Sequence, residues 1–201
     1  VKKRTAVLIS GRGSNMRSLI EAAKAPDYPA EISLVFSNAV DAEGLAFAQE
    51  HGIPTKALSH KGYAREAFDE AVDAILREAN IELVCLAGFM RIVSAPFVKK
   101  WEGQMLNIHP SLLPSFKGAH AHEDAIAAGV RISGCTVHFV AAEMDAGAII
   151  VQAAVPVEIG DTPAALAVRV LVQEHKLYPE ALKLLASGKV RLEGGKAVFS
   201  D

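Results

Sequence analysis

Apolar positions along the chain recur in two patterns. Short runs rich in β-branched residues, Thr5 to Ile9 (TAVLI), Ile32 to Phe36 (ISLVF) and Leu83 to Ala87 (LVCLA), read as strands covered on both faces. Met105 to Ile108 reads as a fourth, and Thr55 to Leu58 as a short one behind Gly52 and Pro54. The stretches between them follow helical spacing. The clearest is 64 to 79, where Phe68, Ala71, Val72, Ile75, Leu76 and Ala79 share one face. Helices are also predicted from about Asn15 to Ala25 and from Asp41 to His51. Strands alternating with helices give a parallel sheet with helices on both faces. After about residue 130 the rhythm changes. Val137 to Val140 and Ile149 to Val157 are strand-like and joined by a short polar link, which predicts an antiparallel extension. A helix from Pro163 to about Ala186 and a strand pair in VRLEGGKAVF complete the pattern. The expected fold class is therefore α/β: a Rossmann-like, mostly parallel sheet with helices on both faces and an antiparallel extension in the C-terminal half. No repeat or linker divides it, so a single domain over residues 1–201 is expected.

Composition narrows the class of partner. Of 201 residues, 51% are hydrophobic and 22% charged, and the net charge of −2 gives no electrostatic reason to expect nucleic acid or an anionic membrane. No run approaches the ~18 apolar residues that a membrane span needs, and the N-terminal VKKRTAVLIS is too short in apolar residues for a signal peptide. Cys85 and Cys135 lie inside apolar runs and read as buried thiols rather than a disulfide. These features predict a cytoplasmic protein that acts on small molecules, and leave monomer and homodimer both open.

Candidate chemistry falls where strands end. LISGRGSN (residues 8 to 15) joins a strand to a helix through a glycine-rich turn, which offers free N–H groups and a favourable dipole to an anion. Met16 stands where a dinucleotide fingerprint needs glycine, and no triphosphate motif is present. The turn reads either as a site for one phosphate, with Ser14, Asn15 and Arg12 assisting, or as a well-capped tight turn. Asn107 and His109 lie two apart at the end of the fourth long strand, so their side chains share one side. An amide beside an imidazole suits oxyanion stabilisation and proton transfer, and Pro110 and Pro114 stiffen the exit. A turn-capping asparagine with a structural histidine is the alternative. His120 and His122 invite a metal reading, but no known zinc spacing accompanies them. Asp145 and Glu143 lie in the turn before Ile149, and a buried carboxylate facing His109 would favour the imidazolium. The residues alone do not choose between the two.

Taken together, the G-x-G-S-N turn (11 to 15), VFSN (35 to 38), LAGFMRI (86 to 92), NIHPSLLPSFKG (107 to 118), HFV with MDAGAII (138 to 150) and QEHKLYP (173 to 179) resemble the phosphoribosylglycinamide formyltransferases over essentially the whole chain. The resemblance implies 10-formyltetrahydrofolate as co-substrate, no metal, and glycinamide ribonucleotide as acceptor in purine biosynthesis. It implies Asn107, His109 and Asp145 as the catalytic trio. Gly13, Ser14, Asn15 and Glu174 would bind the ribonucleotide. Folate would lie against Arg65, Met90, Arg91, Ile92, Val93, Asn107 and the Ala141, Ala142, Glu143, Met144, Asp145 loop. Leu171 is apolar where some relatives are polar, so no substrate contact is assigned to it. Methionyl-tRNA formyltransferase shares the His-Pro-Ser-Leu-Leu-Pro segment but carries an RNA-binding domain. Formyltetrahydrofolate deformylase lacks the phosphate turn. A non-catalytic nucleotide-binding module would not need the trio.

Overall fold

A sheet whose strands run both outward and back from its middle organises the molecule. The computed structural model describes residues 1–201. Its elements are β1 (Lys3–Ile9), α1 (Ser14–Ala23), β2 (Ala30–Ser37), α2 (Glu43–Glu50), β3 (Thr55–Ala57), α3 (Arg65–Glu78), β4 (Leu83–Leu86), α4 (Ala95–Lys100), β5 (Met105–His109), α5 (Ala121–Ala128), β6 (Ile132–Phe139), β7 (Ile149–Pro156), α6 (Pro163–Ala186), β8 (Val190–Glu193) and β9 (Lys196–Phe199). Seven strands form one sheet in the order β3-β2-β1-β4-β5-β6-β7. The first five are parallel, whereas β6 is antiparallel to β5 and β7 to β6. A separate hairpin pairs β8 with β9. The chain winds outward from β1 through β2 to β3, then returns to the other side of β1 with β4. The β1/β4 boundary is thus the switch point of the topology, where a crevice opens at the carboxyl ends of the strands.

Strand alternation divides the core into two layers. Val7, Ile9, Val35, Cys85, Leu106 and Ile108 meet α1, α2 and α6 on one face. Ala6, Leu8, Leu34, Phe36, Val84, Leu86 and Met105 meet Phe68, Val72 and Leu76 of α3, Phe97 and Val98 of α4, and Trp101 on the other. Both faces of the parallel strands are apolar because both are covered. Cys85 and Cys135 are free thiols, and burial pushes each up to about 12, so neither is a thiolate near neutral pH.

One buried hydroxyl ties the helical layer to β4 and β5. Tyr178 of α6, fully enclosed, donates to the carbonyl of Leu86 at 2.7 Å, and its oxygen lies 3.1 Å from that of Leu106. Leu86 ends β4, whereas Leu106 is the second residue of β5, in register with Cys85. A second polar cluster shapes the exit of β5. Thr136 Oγ1 donates to the Ser111 carbonyl at 2.7 Å and accepts from Leu113 N at 3.1 Å and Gln152 Nε2 at 3.0 Å. Gln152 Nε2 also donates to the Leu113 carbonyl at 3.0 Å.

Most element ends fall within about two residues of the sequence expectation, and two elements differ by more. β6 begins at Ile132, five residues before Val137, and ends at Phe139 rather than Val140. Ser133 and Thr136 break the apolar run there, yet both are buried; Thr136 is satisfied by the cluster just described. Helix α4 was absent from the predicted pattern because six residues are too few to show a period. It is marked instead by Ser94, whose Oγ accepts from Phe97 N at 3.4 Å, and by Pro96 in its first turn.

Removal of the Tyr178 hydroxyl leaves buried carbonyls short of a donor. Tyr178→Phe is therefore expected to cost about 1–3 kcal/mol in urea unfolding at an unchanged slope against denaturant. A change within 0.3 kcal/mol would show that packing alone holds α6 in place.

Candidate active site

The switch-point crevice is lined first by the turn after β1. Gly13 takes the left-handed backbone (φ 69°) at the N-cap of α1, and no side chain caps the helix. The first N–H groups of α1 are thus left for something other than the chain itself. They border a cavity of about 500 Å³ walled by Ser10 to Asn15, Arg17, Ala87, Gly88, Met90 and Leu171. Arg12 and Arg17 are exposed and add positive charge at its rim. The arrangement suits an anion the size of a phosphate.

Asn15, expected to assist that anion, directs its side chain to a carboxylate. Its side chain is buried, and Nδ2 donates to Glu174 Oε1 at 3.0 Å, while Oδ1 has no partner. Asn15 reaches the turn through its backbone and holds a carboxylate with its side chain. Burial raises the Glu174 carboxyl above the usual range, opposed by the Asn15 amide and by nearby His109. Leu171, one turn before Glu174 on α6, lines the phosphate-turn cavity. It therefore supplies apolar wall close to the predicted ribonucleotide residues.

β5 delivers the next two residues. Asn107 is half-buried and His109 buried, on the same face of the strand. His109 Nε2 donates to the carbonyl of Phe116 at 2.9 Å, and Nδ1 lies 3.5 Å from Asp145 Oδ1. Both side chains of this pair are only 7% exposed. Asp145 sits at φ 56°, a left-handed conformation that aspartate tolerates better than most residues. Its Oδ2 accepts from Gly118 N at 2.9 Å, so one carboxylate spans His109 and the loop leaving β5. Glu143, in contrast, is exposed. Of the two carboxylates in this turn, Asp145 is the one that faces His109.

The predicted folate residues occupy several places around this centre. Met90 is exposed on the wall of the phosphate-turn cavity, Ile92 is exposed, and Arg91 and Val93 are half-buried. Arg91 stacks its guanidinium over Phe68 of α3 at 4.5 Å. Arg65 begins the same helix one turn earlier and is exposed. Ala141 and Ala142 wall a second, mostly apolar cavity with Val98, Phe139 and Val140, whereas Met144 is exposed. Gly147 closes this loop against β6. A Cβ there would collide with the Phe139 carbonyl, so the close approach requires glycine.

His120 and His122 form no three-member cluster with other ligand-type side chains. His120 occupies the N-cap of α5 and His122 its first turn. Two residues emerge only in three dimensions. His138 pairs with Asn107 across β5 and β6, and it is buried with Nε2 unpartnered. Burial holds it below the usual imidazole range, against its hydrogen bond to the Phe139 carbonyl and the charge of Asp145. Ser10 borders the cavity and donates to Asn38. A histidine inside an apolar run is the only sequence signal for the first, and the second carries none.

Residues 3–182 match the family described as formyl transferase. The trifunctional purine biosynthetic protein adenosine-3 of Gallus gallus is 60% identical over 197 residues, 97% of this chain and 20% of that protein. The chain thus spans about a fifth of the length of that relative. The phosphoribosylglycinamide formyltransferase of Escherichia coli (strain K12) is 42% identical over 192 residues, 95% of this chain and 91% of that protein. The crystal structure of glycinamide ribonucleotide transformylase 1 from Symbiobacterium toebii superposes with a TM-score of 0.96 at 42% identity, covering 100% of this chain and 95% of that one. With its family match, its close relatives and its fold in agreement, this chain belongs to the formyl transferase family.

Proposed function

We propose that this chain transfers the formyl group of 10-formyltetrahydrofolate to the amine of glycinamide ribonucleotide. The observation that carries the reading is the meeting of Asn107, His109 and Asp145 next to an uncapped helix N-terminus. The ribonucleotide phosphate would take the N–H groups of α1 and the Gly13–Ser14 turn, with Glu174 at the glycinamide end. Folate would lie along Met90 to Val93, near Arg65, with its pterin against the Ala141 to Asp145 loop. The whole 1–201 chain acts as one domain in this reading.

The attacking nitrogen forms a bond to the formyl carbon while negative charge gathers on the formyl oxygen. The Asn107 amide donates to that oxygen. The His109 ring has acceptors facing both nitrogens, the Phe116 carbonyl and Asp145, and this arrangement suits the imidazolium. Its positive charge stabilises the oxyanion, and Nε2–H reaches it by giving up the Phe116 carbonyl. The C–N10 bond then breaks, and the proton lost by the attacking nitrogen passes to N10 with Asp145 assisting. The products are the formylated ribonucleotide and tetrahydrofolate. One well-placed oxyanion donor supplies about 3 kcal/mol in such a step.

Loss of 10-formyltetrahydrofolate, followed by absorbance with and without glycinamide ribonucleotide, tests the whole reading. Consumption that depends on the ribonucleotide is expected. Consumption without it would make water the acceptor, and none in either mixture would leave only a binding role.

Asp145→Asn keeps an acceptor for Gly118 N but removes the charge facing His109. The folded protein should persist with kcat reduced about 100-fold or more, and a kcat near that of the parent would remove Asp145 from the mechanism. Glu174→Gln separates stability from binding. Because the Glu174 carboxyl is raised in the fold, its burial costs stability as pH climbs from the unfolded value of 4.5 through the raised one. The Gln variant should therefore melt higher at pH 7 to 8, with the gain fading below about pH 4.5, while KM for the ribonucleotide rises. A lower melting temperature at pH 7 would contradict this sign.

A further inference from the structure

Between Ala87 and Ser94 the chain crosses from β4 to α4 without regular structure. From Gly88 to Val93, the one backbone N–H with a partner inside the chain is that of Met90, which donates to Ser10 Oγ at 2.8 Å. Ser10 follows the last residue of β1 and precedes the glycine turn. Its own proton goes to Asn38 Oδ1 at 2.5 Å, and Asn38 Nδ2 lies 3.3 Å from His60 Nδ1. Asn38 is buried, and it stands directly after β2, whose Ser37 is in register with Ile9. Three neighbouring strands, β2, β1 and β4, are therefore joined just beyond their ends by one hydroxyl. That hydroxyl belongs to the residue adjoining the phosphate turn, and it grips the segment that the proposed function assigns to folate.

We propose that Ser10 is a positioning residue that couples the two substrate sites. The proposal rests on the placement of ribonucleotide and folate given above. An anion bound by the turn fixes Gly11 to Gly13 and, through the adjoining Ser10, holds Met90 to Val93 in the form that accepts folate. By linkage, folate must tighten ribonucleotide binding by the same factor. Asn38 completes the device: by taking the Ser10 proton, it orients the hydroxyl lone pairs towards Met90 N–H. Ser10 touches no reacting atom in this scheme. Its loss should therefore appear in folate affinity more than in kcat.

The test measures affinity for tetrahydrofolate, which carries no formyl group to transfer, by equilibrium titration with and without saturating glycinamide ribonucleotide, in the parent, Ser10→Ala, Ser10→Thr and Asn38→Ala chains. The parent is expected to bind folate more tightly when the ribonucleotide is present. Ser10→Ala should weaken folate binding about tenfold and bring the ratio of the two affinities to about one, with kcat changed by less than about threefold. Ser10→Thr, which retains the hydroxyl, should restore both readouts. Asn38→Ala should lower the ratio in the same direction and stands in if Ser10→Ala fails to fold. Parent-like folate affinity or an unchanged ratio in Ser10→Ala, or in Asn38→Ala in its stead, overturns the coupling role alone. Absence of folate binding in the parent overturns the proposed function, and the coupling with it.

Discussion

The crevice depends on the contact between the Tyr178 hydroxyl and the carbonyls of Leu86 and Leu106. At the carboxyl end of a parallel strand the chain must turn away from the sheet. The helix beneath the sheet meets the backbone at the last residue of β4 and at the second residue of neighbouring β5. Because Glu174 lies one turn earlier on α6, the same rigid body that closes the core presents a carboxylate to the crevice. Packing and chemistry therefore share one helix, and the geometry of the site follows from the depth at which α6 sits against the strands.

Around that anchor, polar groups are buried in pairs or small chains. Asn15 faces Glu174, Asp145 bridges His109 and Gly118, and Thr136 gathers Ser111, Leu113 and Gln152. Each arrangement exchanges hydration for fixed hydrogen bonds, and an unmatched atom is costly in such surroundings. The unmatched atoms are accordingly informative. Asn15 Oδ1 and His138 Nε2 are both buried without a partner, and both residues belong to the environment of the candidate site.

Much of this was legible in the sequence because it follows from pattern. The parallel half is written in its apolar runs, and the antiparallel half in the brief link after Val140. Asn107 and His109 could be placed on one side of a strand by spacing alone. Other features depend on contacts between segments distant in the chain. Asp145 and Glu143 are equivalent in sequence, and only the left-handed turn at Asp145 brings one of them inward. Nothing near Asn15 in sequence announces its hydrogen bond to Glu174, 159 residues away. Helix α4 is too short for periodicity, and the apolar run of β6 is broken by Ser133 and by Thr136, the latter satisfied by a cross-strand cluster.

The loop carrying Asp145 is clamped at its base. Phe139 N donates to the Ala148 carbonyl and Val140 N to the Met105 carbonyl, each at 2.9 Å, while Gly147 lies against the Phe139 carbonyl. The position of Asp145 is thus inherited from the spacing of β6 and β7 and owes little to the exposed residues at 142 to 144. Such a loop has a fixed stem and a free tip. The tip can change in shape and chemistry, and so in the ligand it fits, while the carboxylate at its base stays opposite the same imidazole. New specificity could arise here by drift without first losing the reaction.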